Sequence, residues 1–301
     1  MGVIVVGSVA LDSVKTPFGE VTDALGGSAT FFSVAASYFT DVAIVAVVGD
    51  DFPGEHVELL RGMGVDTSGL YTEAGKTVRW AGAYGFDLND RDTIETQLNV
   101  FEKFRPRIPE NLARVEYVFL ANIDPELQRL VLDQVQSPEL VACDTMNFWI
   151  ERKRKELLDT ISKVHVMMMN DAECRELAGE PNLINAARRV LQMGPSTVIV
   201  KKGEHGALMF KGDSFFSAPA FPCESVFDPT GAGDAFAGGF MGHLAKTGDT
   251  SNANIRRAVI YGTVMASFCV EQFSVNGMAS LTGDDIETRF RQLKEVSHFE
   301  T

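Results

Sequence analysis

Short apolar runs alternate with longer amphipathic stretches along most of this chain, and that alternation limits the fold more than any other feature. Val3–Gly7, Val42–Val48, Tyr117–Ala121, Leu140–Cys143, Val164–Met169 and Thr197–Lys201 have the length and composition of buried strands. Between them, Ala29–Tyr38, Gly54–Arg61, Pro125–Gln136, Ile150–Ser162 and Leu183–Gln192 read as helices. Phe31, Val34, Ala35 and Tyr38 fall at i, i+3, i+4 and i+7 and make one core-facing helical stripe. Strands and helices in this order imply an α/β layout, a mostly parallel sheet with helices on its faces. From about Asp234 to Phe268 the pattern turns to consecutive helices, with a short one expected near Asp284–Leu293.

One region breaks the alternation. Thr77–Tyr84 and Thr93–Phe101 each show a period of two, joined by the polar run Asp87–Asp92, which is a hairpin pattern. Gly7–Gly26 is also poor in helical signal and contains Pro17 and Gly19. Together they predict a small β lid, with segments near 8–25 and 68–101, inside a single domain over residues 1–301. A lone hairpin is marginal, so the lid is expected to pack on the active site or on a second subunit. Its open edge suits a lid-to-lid homodimer.

Composition excludes several functions. A net charge of −14 over 301 residues leaves no basic face for nucleic acid or anionic membrane. No apolar run reaches the length of a membrane span. Cys143, Cys174, Cys223 and Cys269 are far apart with no C-x-x-C, so reduced thiols and a cytoplasmic enzyme are expected. The five histidines stand singly and carry no ligand spacing.

The most informative segment is Asp228-Pro229-Thr230-Gly231-Ala232-Gly233-Asp234, followed by the small-residue run Ala235–Gly239. The glycines allow a tight turn, and a helix starting there aims its first N–H groups at an anion. Asp234, at the mouth of such a site, can take a proton from a hydroxyl, which is most of what phosphoryl transfer asks of a protein side chain. Taken alone, G-x-G-D reads equally as a glycine turn with an aspartate cap. Competing nucleotide signatures are missing: Gly69 with Gly75-Lys76-Thr77 has one residue too many for a P-loop, and Gly231-x-Gly233 lacks a third glycine.

The whole segment resembles the C-terminal signature of the PfkB carbohydrate kinases, the ribokinase-like family, and further motifs follow in that family's order. The resemblance implies a ribokinase-like three-layer α/β/α fold with a small β-strand lid. It implies Asp234 as general base, with the backbone N–H groups of Gly231, Ala232 and Gly233 as anion hole. Leu25-Gly26-Gly27-Ser28-Ala29 is similar to the family's di-glycine signature, which bends on lid closure and contacts substrate. Where many members then place an asparagine, this chain has Thr30, Phe31 and Phe32. Asp12, after the first strand, stands where relatives accept hydrogen bonds from sugar hydroxyls. Gly49-Asp50-Asp51-Phe52-Pro53-Gly54 matches a structural G-x-D-x-x-G.

Asn170-Asp171-Ala172-Glu173 resembles the N-x-x-E motif, which implies Asn170 near the nucleotide and Glu173 holding Mg²⁺ through water. Read without the resemblance, the same residues form a helix cap. Lys201 through Ala207 looks like the nucleotide-side loop, giving Lys201, Gly203 and Gly206, with Thr230, as ATP-binding candidates. The same reading leaves the lysine as a solvated charge. Asp144-Thr145-Met146-Asn147 resembles a polar D-x-x-N on the substrate or phosphate side. Family members hold a monovalent cation beside the anion-hole loop, so K⁺ is implied with Asp228 as its candidate ligand. Arg79 and Asn99, one on each strand of the expected lid hairpin, are the candidate substrate-reading groups.

The function implied is ATP- and Mg²⁺-dependent phosphorylation of a hydroxyl on a sugar or polyol. Trp80 on the lid keeps a nucleoside kinase open, since a base can stack there. A ligand-binding pseudokinase is the reading from another class, opposed by the intact Asp234, Asn170 and Glu173.

Overall fold

We describe the chain from a computed structural model, which covers residues 2–298. The strands are β1 (Gly2–Val6), β2 (Ala10–Thr16), β3 (Gly19–Gly26), β4 (Asp41–Gly49), β5 (Val65–Glu73), β6 (Arg79–Tyr84), β7 (Arg91–Gln97), β8 (Tyr117–Leu120), β9 (Leu140–Cys143), β10 (Val166–Asn170), β11 (Thr197–Lys201), β12 (Ala207–Lys211) and β13 (Ser214–Ala218). The helices are α1 (Ser28–Ala36), α2 (Gly54–Gly62), α3 (Pro125–Leu132), α4 (Asn147–Arg152), α5 (Arg154–Ile161), α6 (Asp171–Ala178), α7 (Leu183–Leu191), α8 (Ala232–Thr247), α9 (Asn252–Cys269), α10 (Asn276–Ala279) and α11 (Gly283–Val296).

Nine strands form the main sheet in the order β13-β12-β11-β10-β9-β8-β1-β4-β5. From β11 to β5 every pairing is parallel, and β12 and β13 add antiparallel at one edge. Strands buried on both faces need unbroken apolar runs, which is what β1, β4 and β8 carry. Successive residues point to opposite faces, so Val3 and Val5 join one core with α1, α8 and α9, while Ile4 and Val6 join the other with α3, α5 and α7. Strand order reverses between β1 and β8, which opens a crevice beyond their carboxyl ends.

The lid is a four-stranded sheet ordered β3-β2-β6-β7: two antiparallel hairpins joined by the parallel pair β2–β6. The helix-poor stretch Gly7–Gly26 supplies its first hairpin. The expected segment 68–101 divides, because residues 65–73 pair with β4 as the main sheet's edge. The second hairpin is shifted from its expected bounds: Arg91 and Asp92, read as linker, start β7, and Asn99–Lys103 is a 3₁₀ turn. No helix among the described residues is long and apolar enough to cross a membrane.

Other boundaries moved for local reasons. The helix expected over Ile150–Ser162 is two, broken at Lys153 (φ −134°, ψ 41°), whose ammonium reaches back to Asp124 at 2.6 Å. The C-terminal helix runs 14 residues because Thr282 and Asp285 form a capping box at its start.

Core packing that carries the site is concentrated where α1 crosses the sheet. Phe32 of α1 stacks on Phe119 of β8 with ring centroids 4.5 Å apart, both fully buried. Phe119→Ala is expected to lower unfolding free energy by about 3–5 kcal/mol in urea titrations, and a loss under about 1 kcal/mol would contradict this packing role.

Candidate active site

Helix α8 begins at the crevice. Gly231 caps it in the left-handed region (φ 77°), and no side chain accepts from its first N–H groups. A side chain is excluded at Gly231, since a Cβ would sit 2.3 Å from the Phe31 ring. The three expected N–H donors are not equivalent. Ala232 N–H turns back to Pro229 O at 3.2 Å, whereas Gly231 and Gly233 find no protein acceptor among the described residues. Asp234 sits half-buried in the first turn, beside these donors in sequence.

Burial and the neighbouring Asp144 carboxylate push the Asp234 carboxyl up to about 7, while Lys201 and Arg91 oppose the rise. Lys201 is not the solvated charge the sequence allowed. Its ammonium is largely buried, 2.6 Å from Asp144 Oδ2, and lies 3.0 Å from where a Gly233 Cβ would be. An ion pair thus sits directly beneath the anion loop. Asp144 is fully committed: its other oxygen accepts from Thr145 N–H at 2.9 Å.

Asn170 and Glu173 form a capping box at α6, with Asn170 Oδ1 accepting from Glu173 N–H and Glu173 Oε2 from Asn170 N–H, both at 2.8 Å. The cap reading is therefore realised, yet it leaves Glu173's second oxygen free. Burial, then Asp144, raises this carboxyl to about 7. No three His, Cys, Asp or Glu side chains among the described residues form a metal cage. One spare carboxylate oxygen in an acidic setting would suit a Mg²⁺ that keeps its waters, with Glu173 the candidate to hold it through water and Asn170 beside it.

On the lid side, Asp12 is 7% exposed and its Oδ2 accepts from Gly27 N–H at 3.2 Å. Gly26 must lack a side chain here, because a Cβ would fall 1.9 Å from that carboxylate oxygen. Burial pushes the Asp12 carboxyl to about 7. Asp12, Asp228, Thr230, Phe31 and Ser274 line a tight recess between the lid and the loop before α8, with no room for a water molecule as it stands. Asp228, the candidate cation ligand, accepts from Thr230 N–H at 2.9 Å and faces Ser274 N–H at 3.5 Å. Thr230 Oγ1 donates to the Tyr84 hydroxyl of β6 at 3.1 Å, tying the lid to the loop.

Three candidate residues have partners elsewhere in the structure. Arg79 is an ion-pair clamp, 2.8 Å from Asp51 and 3.1 Å from Asp23, on the lid face opposite Asp12. Asn99 lies past the end of β7 in a 3₁₀ turn, and its amide donates to Thr77 O at 2.9 Å, so it braces the hairpin. The approach to Gly203 is covered by the lid tip: a Cβ there would sit 2.0 Å from Asn89 Oδ1, and Asn89 also reaches Glu204 at 3.2 Å. Gly206 shapes that turn, its N–H donating to Gly203 O. On the lid face that carries Asp12 there is also a cation, Arg91, hidden in the sequence within a polar run. Only the pairing of Arg91 with Tyr84 reveals it.

Asp234 carries a pH signature. Its folded carboxyl titrates near 7 against an unfolded value of 3.8, so between those values the fold retains a proton that the unfolded chain has released. Stability therefore falls as pH rises through that window. Asp234→Asn is expected to raise the urea midpoint at pH 8 and to change it little at pH 4; a variant destabilised at pH 8 would contradict the charge crowding.

The family model described as pfkB family carbohydrate kinase matches residues 3–281. A cytidine kinase of Thermococcus kodakarensis is 30% identical over 252 residues, 82% of this chain and 89% of that protein. A nucleoside kinase of Methanocaldococcus jannaschii is 26% identical over 231 residues, covering 76% and 72%. A ribokinase of Lactococcus lactis is 25% identical over 311 residues, covering 97% and 98%. Among solved structures, the M. jannaschii nucleoside kinase superposes with a TM-score of 0.75 at 21% identity over 97% and 98% of the chains. A putative ribokinase II from E. coli, in complex with ATP and Mg²⁺, gives 0.77 at 20% identity over 96% and 99%. The fold is ribokinase-like, and the chain belongs to the pfkB family of carbohydrate kinases.

Proposed function

We propose that this kinase transfers the γ-phosphoryl group of ATP to a hydroxyl on the sugar of a nucleoside, with Asp234 as general base. One observation carries the reading: Asp234 stands in the first turn of a helix whose Gly231 and Gly233 N–H groups have no acceptor among the described residues. The acceptor oxygen bonds to the γ-phosphorus as the bond to the β–γ bridging oxygen breaks. The hydroxyl proton passes to Asp234, and ADP leaves. Gly231 and Gly233 N–H groups receive the charge that builds on the equatorial oxygens. Lys201, held by Asp144, steadies the loop from below. Mg²⁺, when bound through Asn170 and Glu173, supplies neutralising charge to the phosphates.

The choice of a nucleoside over a free sugar rests on the lid. Asp12 and Trp80 are register partners on β2 and β6 and project from the same face. Asp12 supplies an acceptor for sugar hydroxyls, and the indole beside it supplies a stacking surface for a base. Its ring lies over Gly82, where a Cβ would be 2.2 Å away. The named relatives that act on nucleosides support the same choice.

ADP formation measured with a panel of nucleosides, ribose, fructose and polyols tests the reading. Turnover is expected with a nucleoside, and turnover with free sugars alone would reverse the substrate choice. Asp234→Asn should cut kcat by about 10²–10⁴ with folding intact, and near-normal kcat would remove the base assignment.

A further inference from the structure

We infer that Arg91 is a lid-borne cation that contacts the transferring phosphoryl group, completing the anion site from the side opposite helix α8. The inference rests on the phosphotransfer reading above and adds a residue to it. Arg91 opens β7 and pairs directly with Tyr84 of β6. Trp80, Gly82 and Tyr84 alternate onto one face of β6, and the β2–β6 register puts Asp12 and Val14 on that face too. Directly opposite residues share a face, so Arg91 projects with them. Arg79 and Lys15 belong to the other face. Arg91 is thus the one cation the four described lid strands turn toward the crevice.

Among the described residues Arg91 makes no ion pair, whereas Lys201 is bound to Asp144 and Arg79 to Asp51 and Asp23. Its guanidinium carbon rests 5.7 Å from the Trp80 ring centroid and beside the Tyr84 hydroxyl, which is itself bonded to Thr230 of the anion loop. From there its charge acts on Asp12, on Glu173 and on Asp234. Its place on the lid face that carries Asp12, beside the Tyr84 hydroxyl that bonds Thr230, sets it across from the start of α8. Nothing else on the lid face offsets the charge that a triphosphate brings to this acidic crevice. A base stacking on Trp80 takes the surface where the guanidinium now rests and frees it to turn to the phosphate.

Arg91→Ala and Arg91→Lys separate the possibilities, because the residue is exposed and its removal leaves no buried gap. Steady-state kinetics of wild type and both variants with ATP and a nucleoside provide the readout. Arg91→Ala should lower kcat by about 10²–10³-fold, the cost of losing one donor to a developing charge, with acceptor KM nearly unchanged. Arg91→Lys should recover little, since a point ammonium does not reproduce the planar fork. Added guanidinium ion at millimolar levels should partly restore Arg91→Ala and leave wild type unaffected. An active wild type with kcat within about threefold in both variants, or with only acceptor KM raised, overturns the role of Arg91 while leaving the kinase reading intact. A wild type that turns over no acceptor overturns both.

Discussion

Everything at this site depends on keeping the first turn of α8 bare. A helix N-terminus normally recruits a side chain to its free N–H groups, and here the cap is Gly231, which has none to offer. Phe31 from α1 fills the space a side chain would take, so the bareness is enforced by packing. Phe31 is held in turn because α1 lies across the sheet, its neighbour Phe32 stacked on Phe119. The hydrophobic core therefore reaches, through two adjacent aromatic rings, to the backbone groups that can bind an anion.

Around that bare turn the protein gathers carboxylates. Asp12, Glu173 and Asp234 are each raised to about 7, with burial the first cause in every case. Such crowding costs stability near neutral pH, and Lys201 offsets only part of it because it is shared with Asp144. A site built this way accepts cations readily and holds a base near the working pH, the two properties a phosphoryl-transfer site uses. Proteins tolerate such unfavourable local arrangements mainly where function requires them.

The sheet was legible because its strands are buried on both faces, and β9 and β11 match their expected bounds residue for residue. The edge strand β5 was not, since Val65–Glu73 mixes Asp66, Ser68 and Gly69 into a half-exposed pattern with no clean period. The placement of Gly231 and Asp234 at the start of α8, and of Asn170 at the start of α6, was legible because motif and chain order coincide. The face that Arg79 takes was not legible, because strand alternation decides it and the bounds of β6 and β7 had to be known first. The same uncertainty hid Arg91, two residues inside what looked like a turn.

The most direct test of the central claim is the pH dependence of kcat/KM in wild type and in Asp144→Asn. Asp144 is the first neighbouring charge that raises the Asp234 carboxyl, so the account predicts activity that climbs with pH through an apparent value near 7 in wild type. In Asp144→Asn that ascending limb should move to lower pH, since the repelling charge is gone and Lys201 is free to favour the ionised base. A limb that stays in place, or a flat profile in wild type across this range, would contradict the claim that crowded charge tunes Asp234 for proton transfer.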